Sequence, residues 1–245
     1  MIYYANPCSE PIKDAMSAGE LGCIITPNQR NINFPDEWDV MADNGCFANR
    51  WTEAAWSEWL RNQPRTMRFA VAPDLFDPSG APCHEQTLER WNRFGPMVER
   101  WGFTPAFVCQ VGSSPENVPD APVLFLGGTT EWKLGPEARA IVEAHRDDRW
   151  IHMGRVNSGK RWKYAESIGC HSVDGTFLTF APDTNLARMR RWFVADDDDQ
   201  PPTLPGFEHL RPVAVVKDDA TAPRATSAIT ARRNYWPTEA GEFGD

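Results

Sequence analysis

The sequence predicts an α/β fold, a single compact (β/α)8 barrel of the TIM type over residues 1–194. Three observations carry this expectation. Eight short apolar runs recur before residue 195. Most are followed by stretches whose apolar residues fall at helical spacing, and parallel strands need such long crossovers. The chain has 245 residues, 41% of them apolar, which suits one domain of about 200–250 residues. The alternative is an open doubly wound sheet. No G-x-G-x-x-G follows any run, which disfavours its dinucleotide-binding form.

In chain order, the first run is Ile2–Ala5, and a helix-like stretch spans Ser9–Ala18. Gly22–Thr26 and Asp39–Ala42 are the second and third runs. Thr52 is a helix cap, with Trp56, Trp59 and Leu60 on one face beyond it. Phe69–Ala72 precedes a helix near His84–Trp101, where Leu88, Trp91, Phe94, Val98 and Trp101 share a face. Pro105–Cys109 and Val123–Leu126 follow, then a helix at Pro136–His145 and a run at Trp150–Met153. Ser158 caps a helix bearing Trp162, Ala165 and Ile168. Ser172–Val173 starts the eighth strand, and a helix with Leu186, Met189 and Phe193 closes the series. No helix is evident after the second run or after the fifth, at Gly112–Ala121. Residues 195–245 read as an acidic, proline-rich linker (Ala195–Pro205) and a C-terminal appendage.

Composition narrows the function classes. No apolar run approaches the roughly 18–20 residues that span a bilayer, and no secretory leader pattern opens the chain; the expectation is a cytoplasmic protein. Six cysteines, none in C-x-x-C spacing, read as reduced thiols rather than a metal or redox site. The net charge of −9 argues against strong general affinity for nucleic acid. The tryptophans at helical spacing are expected in the core, and His171 sits close to the eighth strand end.

In a barrel of this kind the site lies where the C-terminal ends of the strands meet. The residues just after the runs are Asn6, Asn28, Asp43-Asn44-Gly45, Asp74, Gln110, Gly127-Gly128, Gly154-Arg155-Val156-Asn157 and Asp174-Gly175. Three carboxylates, several amides and several glycines therefore converge on one rim. Two carboxylates across a pocket can divide the work of glycosyl transfer: one attacks an anomeric carbon while the other gives or takes a proton.

Met41-Ala42-Asp43-Asn44-Gly45-Cys46-Phe47 resembles the A-D-S-G-G-F segment of tRNA-guanine transglycosylases. Val108-Cys109-Gln110-Val111-Gly112 is similar to their V-Q-G-G segment, and Phe125-Leu126-Gly127-Gly128 to their base-binding strand end. His152-Met153-Gly154, a helix, and Gly169-Cys170-His171-Ser172-Val173-Asp174 follow the family's M-G-V-G, helix, G-V-D-x-F-D order. The ordered set spans about residues 23–182. It looks closest to the smaller relatives that insert 7-deazaguanines into DNA, the DpdA type of phages and bacterial genomic islands.

The resemblance implies catalytic roles for Asp174, as nucleophile, and Asp43, as general acid/base. It implies a base pocket of Phe47, which would stack on the base, Asn44, Gln110, Gly127, Gly128, Met153 and Asp74, which would read the N–H edge, with Asp77 as a rival. The implied partners are DNA carrying a flipped or single-stranded guanine nucleotide, a free 7-deazaguanine base and a helper ATPase that opens the duplex. No cofactor is implied. The family's zinc motif is missing, since no cysteine follows Cys170; this favours DNA over tRNA. Cys46 replaces a glycine of the G-G-F segment. Arg155, Asn157 and Ser158 lie where barrels commonly bind phosphate, and Lys160, Arg161, Lys163, Arg188, Arg190 and Arg191 form a basic cluster beside them. The competing readings are a DNA glycosylase using the same aspartates with water, a tRNA-acting enzyme, and a non-enzymatic nucleic-acid-binding barrel.

Overall fold

A computed structural model describes residues 1–29, 33–46 and 51–193. The expectations for Phe47, for the acidic run Asp196–Asp199 and for residues 195–245 as a whole lie outside them. Eight parallel strands close into a barrel in sequence order: β1 (Ile2–Ala5), β2 (Gly22–Ile25), β3 (Val40–Ala42), β4 (Phe69–Val71), β5 (Pro105–Cys109), β6 (Val123–Leu126), β7 (Trp150–Met153) and β8 (Ser172–Asp174). β8 closes on β1 with Tyr4 opposite Asp174. The helices are α1 (Glu10–Ser17), α2 (Glu53–Arg61), α3 (His84–Arg100), α4 (Thr130–Lys133), α5 (Pro136–His145), α6 (Gly159–Ile168) and α7 (Pro182–Phe193).

The pleat sorts the side chains into two cores. Tyr4, Ile24, Met41, Phe69, Val71, Ala106, Val108, Val123 and Phe125 fill the barrel interior. Their neighbours Tyr3, Ala5, Cys23, Ile25, Ala42, Phe107, Leu124, Met153 and Val173 join the helices in the outer shell. This two-sided burial is why the strands read as continuous apolar runs rather than as alternation. Trp56, Trp91 and Trp162 are buried in that shell, as their helical spacing predicts, and so is Trp132. Trp56 packs edge-on to Phe94 with centroids 5.5 Å apart, a favourable aromatic geometry.

Local chemistry sets the element ends. The Thr52 and Ser158 side chains accept from the backbone N–H groups of Ala55 and Arg161 and so cap α2 and α6. Gly169 ends α6 in the left-handed region at φ 97°, where glycine carries no Cβ penalty. Among the described residues, no helix joins β2 to β3 or β5 to β6. Among them too, no helix is long and apolar enough to cross a membrane.

Candidate active site

At the C-terminal rim, β8 ends on Asp174, which is 8% exposed. Its Oδ2 accepts from His152 Nε2 at 2.9 Å and its Oδ1 from the backbone N–H of Arg155 at 3.0 Å. Burial alone would raise its pKa. The His152 hydrogen bond, the Arg155 N–H and the Lys133 charge outweigh burial and hold the carboxyl below the usual aspartate range.

Asp43, at the end of β3, has the opposite balance. Its carboxylate accepts from the Gly45 N–H at 3.2 Å, and the backbone N–H groups of Gly45 and Asn44 favour its charged form. Burial first, then the charges of Asp174 and Asp74, push its pKa up to about 7. One pocket thus holds a carboxylate that stays ionised and a carboxylic acid that keeps its proton to near neutrality. Pairs driven apart in this way mark acid/base partners.

The third carboxylate links three strand ends. Asn44 donates to the Ala72 carbonyl and to Asp74 Oδ1, both at 2.8 Å. Gln110 Nε2 donates to Asp74 Oδ2 at 2.5 Å. Burial raises the Asp74 pKa despite these donors. Gln110 Oε1 is a buried acceptor with no partner, an arrangement that costs free energy unless a ligand or water completes it. Asp77, the rival in sequence, spends its carboxylate on Ser79 in a surface turn.

Glycines let these groups approach one another. A Cβ on Gly127 would stand 2.4 Å from Val108 and 3.4 Å from the Gln110 amide nitrogen. A Cβ on Gly175 would meet Asn157 Oδ1 at 2.3 Å, Tyr3 Oη at 2.5 Å and the Val156 carbonyl at 2.6 Å. Arg155 is itself left-handed, with φ 61°, a strained setting for a residue with a Cβ. Its guanidinium donates to the carbonyls of Gly127 at 2.8 Å and Gly128 at 3.2 Å and stacks over Phe76.

The other expected residues divide. Met153 is corrected: β7 turns its side chain to the helix-facing shell, and the alternation of the strand puts its neighbour His152 in the interior instead. Asn157 Oδ1 accepts from the N–H groups of Thr176 and Phe177, so it shapes the turn after Asp174, and Ser158 caps α6. Lys160, Lys163, Arg188, Arg190 and Arg191 are exposed; Arg190 is tied to Glu20 and Arg188 reaches Asn185. Arg161 donates to the Arg155 carbonyl. His171 stacks on Trp150 and accepts from the Ile151 N–H.

Three residues near Asp174 escape the reading of strand ends: His152, Tyr3 and Lys133. Lys133 is 3% exposed and donates to the Gly154 carbonyl. Burial, reinforced by Arg155, lowers its pKa to about 7 although Asp174 opposes the shift. Its only sequence signal is the cap, Thr129, whose hydroxyl accepts from Trp132 N–H just after the Gly127-Gly128 pair. Among the described residues no His, Cys, Asp or Glu cluster is arranged to hold a metal ion.

No protein-family model and no curated protein matches the chain. Solved structures similar to it include "QR15, an Aldolase" (TM-score 0.44, 9% identity, 78% of this chain and 95% of that one). "Native KDPGal structure" is another (TM-score 0.47, 12% identity, 78% and 93%). A third is a designed cube-shaped, highly porous protein cage of fused symmetric oligomeric domains (TM-score 0.43, 12% identity, 78% and 70%). At such scores and identities none of the three bears on the chemistry of this pocket, and none is a guanine transglycosylase.

Proposed function

We propose that the chain is an enzyme of glycosyl transfer: a transglycosylase that replaces guanine in DNA by a 7-deazaguanine through a glycosyl ester on Asp174. One observation carries the reading. On one rim, the donors around Asp174 hold its carboxyl below the usual range while burial and like charges push Asp43 up to about 7, the separation of roles that double displacement at an anomeric carbon requires. The ordered likeness of the strand-end motifs to guanine transglycosylases supplies the substrate class.

In this mechanism the nucleotide leaves the stack, because a base inside a duplex hides its glycosidic bond. Asp174 attacks C1′, the C1′–N9 bond breaks, and Asp43 delivers its proton to the departing guanine. The now ionised Asp43 takes a proton from the incoming deazaguanine, which attacks C1′ and releases the Asp174 carboxylate. Two inversions retain configuration. Asp74 and the unpartnered Gln110 Oε1 supply the acceptors for the N–H edge of a guanine-like base. A lysine with a pKa near 7 can also form imines. Lys133 is closed off with its ammonium on a backbone carbonyl, and we assign it to holding the β7 end and to supporting the Asp174 charge.

The test is incubation with DNA labelled in guanine. The reading requires sustained label release only when 7-deazaguanine is present. Sustained release without it means hydrolysis, the glycosylase alternative. Release from tRNA but not DNA selects the RNA-acting relative. No release from either rejects the proposal.

A further inference from the structure

Inside the barrel, below Asp174, a line of polar groups crosses an otherwise apolar core. The Trp150 indole Nε1, which can only donate, reaches Ser172 Oγ at 2.8 Å. Ser172 Oγ lies 2.8 Å from His152 Nδ1, and His152 Nε2 lies 2.9 Å from Asp174 Oδ2. His152 and Ser172 are both fully buried. An ionised carboxylate only accepts, so the Nε2 that faces Asp174 carries a proton; Nδ1 of the neutral ring is an acceptor, and Ser172 Oγ, which accepts from Trp150, donates its hydroxyl hydrogen to it. The ring proton is then on Nε2 and points at the carboxylate. The imidazole is held against Phe125, with centroids 4.5 Å apart, Phe69 at 5.5 Å and Tyr4 at 6.0 Å, which leaves it little freedom to turn.

We propose that Trp150, Ser172 and His152 form a donor relay that fixes the rotation of Asp174 and keeps it a carboxylate, making His152 the positioning residue of the nucleophile. The inference rests on Asp174 being the attacking group. A carboxylate that receives N–H donors is favoured in its charged form, and an unused buried donor or acceptor in the line would be costly. The tautomer follows from the carboxylate end: an ionised Asp174 only accepts, so Nε2 donates, and the indole at the far end, which has no acceptor capacity, is consistent with donation towards Asp174. Of the other groups facing Asp174, Lys133 and Arg155 favour its charge and an ionised Asp43 opposes it, while burial and the Asp174 charge keep the Tyr3 phenol protonated. His152 bonds a carboxylate oxygen with its side-chain N–H.

The test is a carboxyl titration of Asp174 by NMR in protein labelled with [13C]aspartate, the signal assigned by its loss in Asp174→Asn. In His152→Phe, which fills the same aromatic cage without a donor, the midpoint rises by about one pH unit or more. In His152→Gln, which can still donate, it stays nearer the wild-type value. Ser172→Ala frees the Nδ1 position and moves the midpoint in the same direction as His152→Phe by a smaller amount, and it serves if His152→Phe does not fold. The acidic limb of the kcat/KM profile moves with the midpoint. An unmoved midpoint in these variants, or equal shifts in the Gln and Phe variants, overturns the role of His152. The titration needs no turnover, so the two readings fail separately. A moved midpoint without base exchange by the wild type keeps the relay and rejects the transglycosylase. Exchange with an unmoved midpoint rejects the relay alone.

Discussion

Asp43 and Asp174 are the same residue type in one pocket, and their surroundings alone set them apart. Asp174 has a side-chain N–H, a backbone N–H and a nearby ammonium; Asp43 has burial and two like charges. Asp174→Asn is isosteric but cannot form a glycosyl ester, so exchange should fall by at least about 10³-fold, several kcal/mol of barrier, while DNA binding persists. A variant retaining more than about a tenth of the rate removes the nucleophile assignment. Asp43→Asn should lose about 10²–10⁴-fold, the usual worth of general acid/base help. It should also change stability, with a definite sign. The folded pKa of Asp43, about 7, lies above the unfolded value near 3.9. The native state therefore binds more protons across that window, and wild-type stability falls as pH rises through it. Denaturant titrations at pH 5 and pH 8 should show Asp43→Asn gaining on the wild type at the higher pH. Equal differences at both pH values would mean Asp43 is not held protonated.

At the scale of the element, β8 and the turn after it do the placing. Gly175 has no room for a side chain, and two of the three atoms a Cβ would strike belong to the turn that holds Asp174. Gly175→Ala should cost about 1–3 kcal/mol through overpacking and depress exchange beyond what the stability loss explains. Full activity with only a lower Tm would show that the turn does not set the carboxylate. The strands were legible because burial on both faces leaves unbroken apolar runs: Ile2–Ala5, Pro105–Cys109, Val123–Leu126 and Trp150–Met153 agree end for end with β1, β5, β6 and β7. The α4 turn was not legible, since four residues are too few for a helical period. His152 was hidden for a related reason. Within an apolar run nothing in the sequence says which neighbour faces inward, and the resemblance that implied Met153 in the pocket did not separate it from its neighbour His152. Asp43 and Gln110 were legible directly after β3 and β5, Asp74 three residues past β4 and Asp174 as the last residue of β8, where the barrel forces convergence.

For the whole molecule, the net charge is −9, so the proposed function requires any attraction to DNA to be local. The exposed bases of α6 and α7 offer it: Lys160, Lys163, Arg188 and Arg191, with Arg190 held by Glu20. Affinity for DNA should fall with salt, by a log–log slope of about 0.9 per duplex phosphate neutralised and about 0.7 per single-strand phosphate. Replacing Lys160, Arg188 and Arg191 by Ala should flatten that slope for all sequences alike and leave affinity for the free base unchanged. An unchanged slope would put the DNA on another side of the rim. The central claim, a glycosyl ester on Asp174, is tested most directly by mass spectrometry of protein quenched in acid after mixing with a guanine-containing oligonucleotide and no deazaguanine. The account predicts an oligonucleotide adduct that has lost one guanine, mapped to the peptide carrying Asp174, absent in Asp174→Asn and cleared when 7-deazaguanine is added. Guanine release with no adduct, or an adduct on Lys133 or any other residue, would contradict it.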